Sequence, residues 1–262
     1  MMRPAFVGAL VTGLATVALS KLRQSSWDRT SFSGSTVSLT GGLATATGAI
    51  ASSGAAASAP AIVASAAGAC AGYVDDHLEE SFGAKGKGFK GHLGALSRGE
   101  VTSGAVKILG VGLGAGVAGW LISARYTGVS RVVDAGVNTV LIAGTANLLN
   151  LFDLRPGRAL KVALAVSTPL ALAGNKTAAG VVGTSVASLP TDLAGATMLG
   201  DLGANALGAQ VGVAVAQRLP LLGRLLATAG VVGLTYASEK ISFSKVIDEC
   251  APLRFVDQLG RP

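Results

Sequence analysis

Apolar residues gather in runs at 4–20, 36–54, 57–74, 104–123, 133–152, 159–174, 177–198, 203–218 and 220–237, broken by short polar stretches. Several runs are shorter than the ~20 residues with which a helix crosses ~30 Å of hydrocarbon, so their ends are soft, and 36–54 is diluted by Ser, Thr and Gly. The pattern predicts an all-α, polytopic transmembrane helix bundle of about nine spans. These spans occupy residues 1–237, and 238–262 forms a basic cytoplasmic tail. The first run reads as a retained helix rather than a cleaved signal, because its start is poor in arginine and the dibasic KLR follows it directly.

Composition agrees. Of 262 residues, 50% are hydrophobic and only 13% charged, with a mean hydropathy of +0.56, too few charges to clothe a soluble globule of this size. The 37 glycines suit close helix packing where lipid offers no hydrophobic drive between helices. Cys70 and Cys250 stand too far apart in sequence to suggest a disulfide framework or a metal-ligand spacing.

Charge orients the bundle. With the N-terminus outside, the loops at 21–35, 75–103, 153–158 and 199–202 and the C-terminal tail fall in the cytoplasm. Arg3, Arg125, Arg131, Lys176, Arg218 and Arg224 then lie outside and the other 15 of the 21 Lys and Arg inside, as the positive-inside rule requires. The net charge of +7 therefore reflects loops facing anionic lipid and anionic substrates, not nucleic acid. The expected location is a bacterial cytoplasmic (inner) membrane, with the site on its cytoplasmic face; a homodimer stays open.

The same parity brings Asp75, Asp76, Asp153 and Asp201 to one face of the membrane. Two adjacent carboxylates repel unless a cation or a shared proton relieves them, and Mg²⁺ works with one or two carboxylates plus substrate phosphates. The next loop, SFGAKGKGFKGHLGALSRGEVTSGAVK, is not a Walker A sequence, because Phe89 stands where the lysine belongs. Its Lys85, Lys87 and Lys90 suit either lipid headgroups or a point-charge clamp on a diphosphate; Lys107, just inside a span, is better placed for the clamp. In ANLLNLFDLRPGRALK, Asn147, Asn150 and Asp153 recur every three residues and so share one side of a helix end. Asp201 sits between glycines that let a ligand approach the backbone. His77 and His92 read as solvated, Trp27 and Trp120 as interfacial anchors, and Asp192 as either a site residue or a helix end after Pro190.

Four stretches, in this order, carry a resemblance: RTSFSGSTVSLTGGLA, GYVDDHL, NLLNLFDLRPG and GDLGANALG. Together they resemble the polyprenyl-phosphate sugar-1-phosphate transferases, the membrane family that contains phospho-N-acetylmuramoyl-pentapeptide transferase. GYVDDHL is similar to the family's DD motif, NLLNLFDLRPG to NxxNxxDGxDG and GDLGANALG to GDxGSLALG. The resemblance implies a Mg²⁺-dependent enzyme of cell-wall glycan synthesis. A polyprenyl phosphate attacks the β-phosphorus of a UDP-sugar, giving a polyprenyl-diphospho-sugar and UMP. It further implies that Asp75 and Asp76 hold the lipid phosphate or take its proton, that Asp76 and Asp201 bind the metal, and that Asn150 and Asp153 line the nucleotide side. Leu154 and Pro156 replace a Gly and an Asp of the family pattern, and Ala204 replaces its serine. Those departures point to a second reading, a non-catalytic protein that binds polyprenyl phosphate or a lipid-linked precursor and serves envelope assembly. A transporter ranks third, because its charges would lie near the bilayer midplane rather than at one rim.

Overall fold

The computed structural model describes residues 2–21, 25–31, 34–82, 91, 94–95 and 97–262. Among these, nine long helices follow the nine apolar runs: α1 (Met2–Ser20), α2 (Thr40–Ala55), α3 (Ala59–Leu78), α4 (Ser103–Ile122), α5 (Gly128–Phe152), α6 (Arg158–Leu172), α7 (Lys176–Leu193), α8 (Gly200–Arg218) and α9 (Leu221–Ser238). Two short helices, α10 (Phe243–Glu249) and α11 (Ala251–Gln258), close the chain. Among the described residues the fold is all-α apart from an antiparallel hairpin, β1 (Asp28–Thr30) with β2 (Thr36–Ser38), in the register Arg29 opposite Val37, and a bridge between Ser38 and Thr197.

Polar breaks start the helices. Ser58, Thr102 and Asn175 accept the backbone N–H of Ala61, Ala105 and Ala178, satisfying donors that a helix start leaves open. Three boundaries differ from the apolar pattern. Residues 36–38 pair as a strand, so α2 begins at Thr40, and the run at 177–198 ends as a helix at Leu193, before a turn in which Gly195 takes φ +66°. Helix α3 runs past the apolar stretch to Leu78, which puts the paired aspartates inside its last turn.

Successive helices run antiparallel. Residues 25–31, 34–39, 79–82, 153–157, 194–199 and 239–242 gather at one end of the bundle, and 56–58, 123–127, 173–175 and 219–220 at the other. Helix α8 is the hub, packed by α2, α3, α5, α6 and α7, and nearly every residue from Gly200 to Ala216 is buried. Small residues make this possible. A Cβ at Gly68 would lie 2.7 Å from the Asn205 carbonyl oxygen and one at Gly72 2.3 Å from that of Asp201, so α3 and α8 meet backbone to backbone.

Large apolar side chains point outward instead, among them Phe6 and Leu14 on α1, Leu113 on α4 and Leu226 on α9. Four helical segments are long and apolar enough to cross a membrane: Met2–Ser20, Ser103–Arg125, Gly128–Phe152 and Leu221–Ser238. Small residues inside and bulky apolar ones outside is the arrangement of a protein whose solvent is lipid, which marks a membrane protein.

One ion pair lies deep inside the bundle. Arg224 is fully buried in α9 and forms a two-pronged ion pair with Asp134 of α5, at 2.6 and 3.0 Å; it also donates to Asn138 at 2.8 Å. Ser123 donates to the same Asp134 carboxylate at 2.7 Å. Arg224 is thus not a cation facing the outer water, as its place at a span boundary suggests. The C-terminal segment departs from expectation too. Its Lys240, Lys245, Arg254 and Arg261 are balanced by Glu239, Asp248, Glu249 and Asp257, so it is not basic. Nor is it a free tail: Arg158 holds Asp257 at 2.6 and 2.9 Å, and Phe243 stacks on Phe152.

Candidate functional site

The connections at the hub's N-terminal end bring the predicted carboxylates together. Asp75 and Asp76 come from the last turn of α3, Lys107 from the second turn of α4, Asp201 from the first turn of α8, and Asp153 follows α5 directly. The Gly68 and Gly72 approach sets this register, because it presses the end of α3 onto the start of α8.

The five residues then take two different jobs. Helix α8 has no cap of its own, since Leu199 stands at its N-cap. Asp76 supplies one from outside: its two carboxyl oxygens accept the N–H groups of Asp201 at 3.1 Å and Leu202 at 2.9 Å. Asp153 accepts the Gly200 N–H at 2.8 Å. Both acids thereby also meet the positive end of the α8 dipole. Gly200 takes φ +58°, and a Cβ there would stand 3.0 Å from the Asp76 carboxylate, so only glycine fits the turn. Arg29 of the hairpin donates to the Asp76 carbonyl, tying β1 to the same corner.

Asp75 and Asp201 are left over, and Lys107 lies between them, its ammonium bonded to both carboxylates. The side chains of Lys107, Asp75 and Asp201 are 20%, 17% and 21% exposed, so a ligand can reach them. Two carboxylates against one ammonium leave a negative charge that a shared proton or a second cation can match. The place therefore suits a further cation, or a cation that arrives with a phosphate.

The same geometry separates Asp75 from Asp76. With both Asp76 oxygens engaged by backbone N–H groups, the carboxylate opposite Asp201 is that of Asp75. Among the described residues no group of three or more His, Cys, Asp and Glu could hold a metal ion, so these residues by themselves build no closed metal cage. Asp75 and Asp201 offer the hard oxygen donors that Mg²⁺ takes when substrate phosphates complete its shell, and on that chemistry the residues fit the ion.

Two cavities open near this end of the bundle, one on Lys107 and one on Asp153. The larger, about 480 Å³, lies between α4, α5, α8 and α9, walled by residues such as Val111, Val140, Ala143 and Val231. Lys107, Asn147 and Asn205 line it as well, so an apolar groove reaches the charged trio through Lys107. The smaller, about 110 Å³, is bounded by Ser31, Ser35 and Val37 of the hairpin region, the 153–156 loop and the 195–198 turn. Asp153 and Asp192 both line it. Asp192 accepts the Gly157 N–H and holds that loop to the end of α7. Burial, and then the charge of Asp192, push the Asp153 carboxyl well above the usual carboxylate range.

Asn147, Asn150 and Asp153 accordingly do not share one face. A three-residue step falls short of the 3.6-residue turn, so two steps rotate by about 120°. Asn147 opens on the larger cavity and Asp153 on the smaller, while Asn150 accepts the Asp153 N–H through its own carbonyl. Lys85, Lys87, Lys90 and His92 lie outside the described residues. His77 is half-buried rather than solvated: it stacks on Tyr73 and meets the edge of Trp27, with ring centroids 4.6 and 4.3 Å away.

Some participants were not apparent from motifs. Asn205 and Arg158 stand within quoted stretches at positions that no spacing marks, and Asp257 and Arg261 belong to no motif. Asp134 and Arg224 did carry a signal, as ionisable residues inside apolar runs. No protein-family model matches the chain, and no curated protein matches it.

Proposed function

We propose that the chain is a nine-span membrane transferase that moves a sugar-1-phosphate from a UDP-sugar to a polyprenyl phosphate, with its N-terminus outside and the Asp75, Lys107, Asp201 trio on the cytoplasmic side. The observation that carries this reading is the apolar groove of about 480 Å³ that ends on Lys107. A long isoprenoid with an anionic head needs such a combination: an apolar wall for the chain and a point charge for the phosphate.

In this reading Lys107 binds the lipid phosphate, and Asn147 and Asn205 orient it by hydrogen bonds. The lipid phosphate attacks as its dianion, the main form of a phosphate monoester near pH 7, and Asp75, free of the capping work that occupies Asp76, is the carboxylate beside it. The lipid phosphate oxygen forms a bond to the β-phosphorus of the donor, the bond from that phosphorus to the bridging oxygen breaks, and UMP leaves. Asp75 and Asp201 would hold Mg²⁺, which when bound supplies positive charge to the transferring diphosphate. The remaining contribution of the protein is alignment, which phosphoryl transfer chiefly demands.

A second reading, a lipid-binding protein without catalysis, is favoured by the donor side. The smaller cavity, about 110 Å³, falls below the ~300–1,000 Å³ of small-molecule pockets, and Leu154 and Pro156 stand in its wall. The experiment supplies purified protein with Mg²⁺, polyprenyl phosphate and a panel of UDP-sugars, and measures UMP. Release that is lost in Asp75→Asn, Asp201→Asn and Lys107→Met supports the transferase. Lys107-dependent lipid binding without UMP from any donor supports the second reading, and absence of both overturns the two together.

A further inference from the structure

Helix α11 is docked in an orientation that water would not favour. At 3.6 residues per turn, Leu253, Phe255, Val256 and Leu259 fall on one arc and Arg254, Asp257 and Gln258 on the other. The side chain turned towards the protein is the carboxylate: Asp257 is 6% exposed, whereas Leu253, Phe255, Val256 and Leu259 are 48, 68, 53 and 58% exposed. Four large apolar groups held outward by a buried charge call for an apolar phase on the outer side.

The depth of the helix identifies that phase. Helix α9, long and apolar enough to span, ends at Ser238, and only residues 239–242 separate it from α10. Four residues reach at most ~14 Å. Phe243 then stacks, with centroids 5.3 Å apart, on Phe152, the last residue of α5, a second such helix. Lys161, in the first turn of α6, donates to the carbonyls of Val256 at 3.0 Å and Asp257 at 2.7 Å, capping the C-terminus of α11. Both short helices are therefore held at the level where spanning helices end, which is the boundary between hydrocarbon and water. Exposed apolar side chains continue from Leu234 and Tyr236 of α9 through Ile241 and Val246 to α11.

We propose that α11 is an interfacial helix: its Leu253, Phe255, Val256 and Leu259 face inserts among the lipid acyl chains at the membrane end that carries Asp75 and Asp201, and the Asp257–Arg158 pair tethers it to the bundle. Lipid rather than a protein partner occupies the face, because its height matches the bilayer boundary and amphipathic helices lie at that depth. The tether also connects this helix to the 153–157 loop, since Arg261 pairs with Asp257 and donates to the Pro156 carbonyl.

The test places a nitroxide on the full-length chain through Phe255→Cys or Leu259→Cys on the apolar arc, and Arg254→Cys or Gln258→Cys on the polar arc. Cys70→Ser and Cys250→Ser form the background, and Leu226→Cys, in the middle of α9, is the reference. The protein is reconstituted in phosphatidylethanolamine and phosphatidylglycerol bilayers, and power saturation compares oxygen with a water-soluble nickel chelate. Positions 255 and 259 should favour oxygen, as 226 does, severalfold over 254 and 258. Equal access of nickel to both arcs while 226 still favours oxygen would mean that the face meets water. Dipolar broadening between labels at 255 would mean that a second copy covers it. Poor access of both reagents without broadening would mean that the chain itself does. Each of these three results overturns the proposal.

Discussion

Asp75 and Asp76 are neighbours with equal standing in the sequence, yet the structure gives them opposite duties, and substitution separates the two. Asp76→Ala removes the acceptors of the Asp201 and Leu202 N–H groups at the start of α8. Hydrogen bonds to a charged group contribute about 1.5–3 kcal/mol each, and partial exposure of Asp76 lets water recover some of that, so the loss should be about 2–4 kcal/mol. For a chain of this size that corresponds to a fall in Tm on the order of 10 °C. Asp75→Asn removes one carboxylate from a pair that shares a single ammonium, which relieves repulsion as it removes attraction, and stability should move by less than about 1 kcal/mol. Thermal unfolding in one detergent, followed by tryptophan fluorescence beside the UMP-release assay, checks both. Asp76→Ala should melt early, whereas Asp75→Asn should melt normally and lose function. Equal Tm values for the two variants would refute the division of labour.

Further outcomes follow from other contacts. Arg224→Met leaves Asp134 charged and unpaired inside the bundle and should cost about 3–5 kcal/mol; adding Asp134→Leu should restore most of it, read from Tm in a double-mutant cycle. Val232→Trp narrows the larger cavity from an exposed position on α9 and should weaken polyprenyl phosphate binding about tenfold or more while Tm holds, measured with lipids of graded chain length. Burial alone would raise the Asp257 carboxyl, but the hydrogen bonds and charge of Arg158, with the charge of Arg261, outweigh it and hold the group below the usual carboxylate range. A carboxylate depressed in the folded state stabilises above its unfolded value of about 4, and that contribution vanishes as pH falls through the lower folded value. Limited proteolysis should therefore leave the C-terminal segment protected from pH 7 down to about 4 and expose it progressively as pH falls below that, and Asp257→Asn should expose it at every pH.

The sequence by itself determined the number and approximate extent of the long helices, because apolar runs separated by polar caps such as Ser58, Thr102 and Asn175 admit few other readings. It also determined that Asp75, Asp76, Asp153 and Asp201 share one end of the bundle, since that follows from helix parity alone. Only the tertiary structure decided which carboxylates do what. Capping depends on where the N–H groups of α8 point, and that is set by the approach of Gly68 and Gly72 to another backbone more than a hundred residues away. The Asn147, Asn150, Asp153 series misled because spacing along a chain does not carry the rotation of the helix into two separate cavities. The partners in the Arg158–Asp257 and Arg224–Asp134 pairs were not legible for a related reason, although Asp134 and Arg224 each stood out inside an apolar run. Whether a charge faces solvent or a partner is a property of packing, and each of those partners lies about ninety residues or more away.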